Sequence, residues 1–449
     1  MSMKLQYNLE NIGNIDNASI TIKPLTIIAG ENSSGKTFVT KSLYSILSHI
    51  QKNYFVKEFI YSLSSLEKEV LIFLDDEFTE EFEKSLQEIH SLIQEFIFVE
   101  RKNQKKFLDK NKNIFSKFEL DILSFFKNQE KPHTLYLSLE YFIYLSNHFQ
   151  EISSEKMMEK LVIAFKKNFQ ITDLQDLINK NSNQDVRLVF DKICDVTINH
   201  NLEISIKDDI ENISNIVFFD SPIYIKIRKA LQKNSTEYSH MMNLNLKHIK
   251  AKMYGYPEYQ DKYLKGYPEY IDDLYRNLDL EYIDIADFDE ISQEIQQIIS
   301  GKFDISRSGD INYTDNQNNV IPLSLTAMGI SNIGLIDLLL RNNVINKGSF
   351  LIMDEPEVHL HPEWQVILAK ILYKIAKGGA NIIIATHSLD FLKAFENILK
   401  KENEIAEGII AINKMPYDES FSELSELEKV GIVLDDLSKP FYDLYMQDI

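Results

Sequence analysis

The feature that most constrains this chain is a glycine loop whose chemical complement lies far downstream. Gly30-Glu31-Asn32-Ser33-Ser34-Gly35-Lys36-Thr37 fits the pattern G-x-x-x-x-G-K-[ST], and such a loop works only between a buried strand and the first turn of a helix. Both neighbours are written in the pattern. Pro24 precedes the apolar run Leu25-Thr26-Ile27-Ile28-Ala29, and after Thr37 the residues Phe38, Leu43, Leu47 and Ile50 fall on or near one helical face. Two further apolar runs end in polar residues: Leu351-Ile352-Met353 before Asp354-Glu355-Pro356, and Ile382-Ile383-Ile384-Ala385 before Thr386-His387-Ser388. One sheet built from these strands must close across an interval of 314 positions (351 − 37).

The residue types at these places suit phosphate chemistry. Gly30 and Gly35 let the backbone curl so that successive N–H groups, including those of Asn32, Ser33 and Ser34, face the β- and γ-phosphates of a nucleotide. Lys36 adds a cation, Thr37 a hydroxyl ligand for Mg²⁺, and the helix N-terminus its positive end. Asp354 can hold Mg²⁺ directly or through water, and Glu355 beside it can polarise an attacking water as general base. His387 can contact the γ-phosphate and register its loss. Each piece alone has a plainer reading, as a glycine turn, an acidic turn or a structural histidine. Together they make ATP and Mg²⁺ the expected ligands. His359 and His361, at i and i+2, invite a zinc reading, but no third ligand is evident nearby and Pro362 follows at once. Trp364 suits helix packing better than base stacking, and a Ser/His/Asp hydrolase would need a G-x-S-x-G turn that is missing.

Around these motifs the chain divides by texture. Leu5, Tyr7 and Leu9, then Ala18, Ile20 and Ile22, alternate as strands about an Asn11-Ile12-Gly13-Asn14 turn. Residues 51–213 contain one proline, Pro132, and no glycine, and read as a mostly helical insertion; no heptad persists long enough for a coiled coil. Residues 214–300 hold a return strand, Ile216-Val217-Phe218-Phe219, and a Tyr-rich segment in which Gly255-Tyr256-Pro257-Glu258-Tyr259 recurs as Gly266-Tyr267-Pro268-Glu269-Tyr270. A local duplication at the surface is the plainer reading of that repeat, a paired aromatic surface for a partner the sharper one. Residues 301–449 bring a hairpin from Ile311 to Pro322, a helix from about Ser331 to Leu340, the two downstream motifs, a helix from about Leu389 to Lys401, a strand from Gly408 to Ile412 and a short tail.

Bulk properties narrow the partners. A net charge of −20 and pI near 5.0 argue against a broadly basic nucleic-acid surface. The basic run Arg101-Lys102-Asn103-Gln104-Lys105-Lys106, with Lys110 and Lys112, fits a solvated helix face better than a local DNA patch. Cys194 is the only cysteine, which excludes a disulfide framework and a Cys-based zinc site. No signal core and no run of about 18 apolar residues occurs, so the expectation is a cytoplasmic protein without a membrane partner.

Asn11-Ile12-Gly13, the glycine loop, Asp354-Glu355-Pro356-Glu357-Val358-His359-Leu360-His361-Pro362 and Thr386-His387-Ser388 resemble the ABC-type ATPase heads of the RecF/SMC-like and OLD-like group. The 354–362 stretch is most similar to the OLD-like branch, whose members include ATPases of Septu-, retron- and PARIS-type anti-phage systems. The resemblance implies an α/β fold: an ABC-type P-loop head, a mixed sheet flanked by helices, with a large α-helical insertion. It also implies that two heads sandwich ATP, with a signature segment of one capping the γ-phosphate held by the other. The matching segment, Leu323-Ser324-Leu325-Thr326-Ala327-Met328-Gly329-Ile330, keeps Gly329 but has Ala327 and Met328 in a Ser-Gly-Gly core, so a hydroxyl contact in trans is lost unless Ser324 or Thr326 replaces it. The same correspondence gives His359 and His361 a place between heads. No Q-loop glutamine is assigned. Only 62 residues follow His387 (449 − 387), too few for the TOPRIM nuclease of some OLD-like members.

These readings converge on an ATP-binding, slowly hydrolysing switch subunit of a bacterial anti-phage complex. The expected partners are further copies of itself and a separately encoded effector nuclease, with nucleic acid as trigger or substrate of the complex. The alternatives are a RecF/SMC-like ATPase that clamps DNA in repair and an isolated transporter-type nucleotide-binding subunit.

Overall fold

The structure is a computed structural model. It describes residues 4–50, 52, 54–73, 80–97, 99, 101–125, 133–182, 184–206, 213–228, 231, 266–279, 286–306 and 309–447. The first copy of the Gly-Tyr-Pro-Glu-Tyr repeat, 255–259, lies outside them.

Two compact units are separated by chain contacts. One takes residues 1–48, 161–242 and 258–449; the other contains 49–160. In the first, four apolar runs and one mixed segment form a parallel five-stranded sheet in the order β13 (Ile410–Met415), β3 (Leu25–Gly30), β12 (Asn381–Thr386), β11 (Phe350–Asp354), β7 (Ile216–Phe219). The first strands of the chain thus lie beside its last ones. Every residue of β3, β7 and β12 is buried, which is why these strands read as continuous apolar runs rather than alternating ones. The register is even: Asp354 faces Ala385, Thr386 faces Ala29, and Met353 faces Phe219. All the polar strand ends therefore fall on one edge, where open parallel sheets bind ligands.

An antiparallel sheet of order β2 (Ile15–Ile22), β1 (Leu5–Ile12), β4 (Val186–Phe190), β5 (Cys194–Ile198), β6 (Leu202–Ile206) completes the larger part of this unit. Tyr7, fully buried on β1, packs edge-on against Phe190 and donates its hydroxyl to Ser42 Oγ at 2.8 Å. Three further strands, β8 (Gly301–Ile305), β9 (Ile311–Asp315) and β10 (Val320–Pro322), make a meander that includes the expected hairpin.

The expected helical stretch 51–213 is corrected at its end. Helices run only to Phe169, and the three strands of 186–206 follow and pair back onto β1. Val186, Leu188 and Phe190, then Cys194, Val196 and Ile198, are buried on alternate positions. That is a strand period, which the lack of glycine and proline concealed. The short tail is also corrected: β13 is followed by a 22-residue helix, Glu426–Gln447. Its Glu426 is clasped by Lys23 Nζ at 2.9 Å and accepts from the Ile412 N–H at 2.7 Å.

The second unit is a helical lobe built from Tyr54–Phe73, Glu80–Ile97, Arg101–Lys110, Lys112–Phe125 and His133–Asn147. Its centre is aromatic: Phe55, Phe59, Phe96, Phe115, Phe118 and Phe142 are buried, with Phe59 stacked on Phe142 at 5.0 Å. The basic run lies on Arg101–Lys110, which buries Gln104 and Leu108 and exposes Lys105, Lys106 and Lys110. Among the described residues no helix is long and apolar enough to cross a membrane.

Candidate active site

The glycine loop joins β3 to the helix Lys36–Ile50 as the pattern requires. Gly35 has φ +99°, and a Cβ there would meet the Ile15 side chain at 2.7 Å; a Cβ on Gly30 would collide with the Met415 carbonyl of neighbouring β13. These glycines are therefore demanded by backbone approach as well as by turn conformation. Asn32 and Ser33 are exposed at the loop crest, with the Ser33 carbonyl accepting from the Asn14 amide. Ser34 Oγ is buried with no hydrogen-bond partner. Lys36, only 5% exposed, turns back on the loop and donates to the carbonyls of Gly30 and Glu31 at 2.9 and 2.7 Å. Burial depresses its pKa, against the opposing pull of Glu355, Asp354 and Glu357.

Asp354 ends β11, one strand beyond β12, and shares a cavity lining with Thr37, whose hydroxyl favours the ionised carboxylate. Its carboxyl is pushed up to about 6, first by burial and then by the charges of Asp220 and Glu355, while Thr37 and Lys41 act the other way. Its Oδ1 is buried without a hydrogen-bond partner. Glu355 continues the ladder by donating its N–H to Ala385 O at 2.9 Å, yet has φ +49°. A non-glycine residue at that angle is held there by its surroundings. His387 follows β12, and its Nδ1 lies 2.9 Å from Glu355 Oε1, outside hydrogen-bond alignment. Thr37, Asp354 and Glu355 share a cavity of about 320 Å³ with Asp220, Ser221, Asn332 and His359.

The structure thus brings Gly30, Asn32, Ser33, Ser34, Gly35, Lys36, Thr37, Asp354, Glu355 and His387 to one edge of the parallel sheet. It does not bring Gly329 there. Gly329 opens the helix Met328–Arg341 and faces Trp364 and Leu360, with room for a Cβ at 3.6 Å. The cap of that helix, Ala327, makes no side-chain hydrogen bond, and the Thr326 hydroxyl is turned inward to Pro322 O at 3.1 Å. Of the two residues expected to replace the missing hydroxyl, only Ser324 is exposed. His361 caps the helix Pro362–Lys377, and among the described residues no group of three His, Cys, Asp or Glu is arranged to hold a metal.

Three residues escaped sequence reasoning. Asp220 directly follows β7 and lines the cavity beside Asp354 and Thr37; burial raises its pKa. Tyr270, last residue of the second repeat copy, donates to Asp220 Oδ2 at 3.1 Å and stacks on Phe218 at 4.5 Å. Lys41 sits over the Tyr270 ring at 5.9 Å and is the cation facing both aspartates. For Asp220 the signal was legible: an apolar run ending in Asp-Ser-Pro repeats the form of the other two strand ends.

A family model described as an AAA ATPase domain matches residues 3–392. No curated protein matches. Among solved structures, the SMC head domain from Thermotoga maritima is 11% identical over 87% of this chain and 92% of its own, with a TM-score of 0.32. An SMC head bound to the C-terminal winged-helix domain of ScpA is 11% identical, covering 87% and 91%, with a TM-score of 0.35. An Smc head with an extended coiled coil, bound to the C-terminal domain of ScpA and derived from Pyrococcus furiosus, is 10% identical, covering 88% and 92%, with a TM-score of 0.33. At those scores the structural likeness carries no argument, whereas the family match spans most of the chain and agrees with the site. The fold is that of an ABC-type P-loop ATPase head, a mixed α/β fold in which helices flank a parallel sheet and separate antiparallel ones rather than the single mixed sheet expected, and the chain belongs to the AAA ATPase domain family.

Proposed function

We propose that this ATPase is a switch subunit of a bacterial anti-phage complex, binding ATP with Mg²⁺, hydrolysing it slowly and controlling a separately encoded effector nuclease. One contrast carries the reading. The cis residues converge on one sheet edge, while the signature helix starts at an uncapped Ala327 with the Thr326 hydroxyl turned away. Such a site favours binding over rapid turnover. The anti-phage part rests on the wording of the 354–362 stretch.

The residues fit a magnesium nucleotide. The orphaned Oδ1 of Asp354, its raised pKa and the adjacent Thr37 hydroxyl are what a divalent cation would satisfy. Thr37 and Asp354 would hold the cation, which when bound offsets phosphate charge. Lys36 exchanges its two loop carbonyls for phosphate oxygens, and the loop N–H groups of Asn32, Ser33 and Ser34 orient the same group. Glu355 accepts a proton from the attacking water, and His387, whose Nδ1 lies 2.9 Å from Glu355 Oε1, contacts the γ-phosphate and registers its loss. Self-association across the Gly329 surface completes the site, and the energetic logic is population shift: ATP must favour the closed assembly over the open one.

The test is native purification from the source operon, followed by mass spectrometry with and without ATP. A nuclease recovered in fixed stoichiometry and an ATP-dependent increase in mass support the switch. A chain that stays monomeric and alone with ATP overturns it. Steeply salt-dependent duplex binding by the chain alone would favour a DNA clamp instead.

A further inference from the structure

The loops after β11 and β12 are joined by two side chains that the ATP reaction does not itself require. Glu357 is 4% exposed, and its Oε1 accepts from the Thr386 hydroxyl and, at 3.4 Å, from the His387 backbone N–H. The same oxygen lies 3.9 Å from His387 Nδ1, and Oε2 is buried with no hydrogen-bond partner. From the other side Gln365 donates to Leu360 O at 3.0 Å and accepts from the Ser388 hydroxyl at 2.6 Å. The two stitches bracket His387 through Thr386 and Ser388. A buried carboxylate with an unmet oxygen is unfavourable in itself, so its place is explained by what it holds. His387 needs such support, because its Nδ1 makes no aligned hydrogen bond and the ring's direction is set by its backbone.

We propose that Glu357 is a positioning residue: it fixes the Thr386-His387 backbone and thereby aims the imidazole at Glu355. Gln365 does the same from the Ser388 side. The effect on turnover rests on the ATPase reading given above; the effect on the ring does not.

The experiment uses the full chain with Glu357→Ala, Glu357→Gln, His387→Ala and the Glu357→Ala/His387→Ala double variant. Glu357→Gln retains a carbonyl acceptor for Thr386 and the His387 N–H, and is expected within about threefold of wild-type kcat. Glu357→Ala is expected to lower kcat about 30-fold while KM stays within about twofold, the mark of lost orientation rather than lost binding. If Glu357 acts through His387, the double variant is no slower than His387→Ala. In ligand-free protein with ¹⁵N-labelled histidine, the His387 ring signal, assigned by its loss in His387→Ala, moves in Glu357→Ala and stays in Glu357→Gln. Additive losses in the double variant, or an unmoved ring signal, overturn the proposal. Should His387→Ala hydrolyse ATP at the wild-type rate, the proposed role of His387 in turnover fails, and the ring signal alone decides the case for Glu357. If Glu357→Ala does not fold, Gln365→Leu carries the same ring test from the opposite side.

Discussion

Asp354→Asn should make the nucleotide-free head more stable. The Asp354 carboxyl has a pKa of about 6, against an ordinary 3.8, with burial the first cause and the charges of Asp220 and Glu355 next. The folded chain therefore holds a proton that the unfolded chain releases. The group's contribution to stability is full below about pH 4 and is lost as pH rises through about 6. At pH 8 the carboxylate is ionised in both states, and its folded-state disadvantage is about 3 kcal/mol at 1.36 kcal/mol per unit. Water reaching the carboxylate through the cavity screens it, leaving roughly 2 kcal/mol. Asparagine keeps an acceptor for the Thr37 hydroxyl and carries no charge. Trp364 is the only tryptophan and belongs to the head, so urea unfolding followed by its fluorescence reports this unit alone. With a slope of about 3 kcal/mol per molar, the midpoint of Asp354→Asn at pH 8 in chelator should rise by about 0.7 M. Mg²⁺ with ATP should reverse the order, because the wild type alone offers the cation a carboxylate. An Asn variant that unfolds at or below the wild-type midpoint in chelator refutes the electrostatic argument.

Glu355→Gln should leave ATP affinity unchanged and slow hydrolysis by about 100-fold or more, read in single-turnover assays; wild-type turnover would remove Glu355 as base. Lys36→Ala should abolish nucleotide binding in equilibrium titration while preserving the fold, since it leaves only the Gly30 and Glu31 carbonyls to solvent. Gly30→Ala drives a methyl into the Met415 carbonyl and should destabilise the head by about 3 kcal/mol or more in the Trp364 assay. Phe59→Ala removes a ring fully buried among Phe55, Phe96, Phe115 and Phe142 and should cost the helical lobe about 3–5 kcal/mol, seen as early loss of helical circular dichroism.

Much of the head was legible because its strands carry their own punctuation. Leu25–Gly30, Phe350–Asp354 and Asn381–Thr386 are apolar runs of strand length, the first opening directly into the glycine loop and the other two ending in a polar residue. Their adjacency followed from chemistry, since one phosphate site needs all three ends together. Residues 186–206 were not legible in the same way. The local alternation was present, but the partner of Leu188 on β1, Leu9, lies 179 positions earlier (188 − 9), and strand pairing at that separation leaves no trace in a local window. Asp220 was missed for a different reason: its apolar run ending in Asp-Ser-Pro carried the pattern, but the site role follows only once β7 is known to lie beside β11.

That topology has an energetic consequence. The strand that returns the chain to the sheet, β7, delivers Asp220 to the cavity already occupied by Asp354 and Glu355, and Lys41 is the cation that answers both aspartates. Three carboxylates share one partly buried cavity, and the charges of Asp220 and Glu355 raise the proton affinity of Asp354, as that of Glu355 does for Asp220. A divalent cation relieves all of these repulsions at once, so its binding is strengthened by whatever the free head loses in holding them together. Roughly 2 kcal/mol of such relief corresponds to about a 30-fold bias between states, enough to move a head from mostly open to mostly closed. Asp220→Asn should therefore lower the Mg²⁺ dependence of ATP-driven self-association while raising the stability of the ligand-free head, a paired and opposite response. A variant that loses both, or gains both, would show that Asp220 serves the fold through Tyr270 rather than the cation through Asp354.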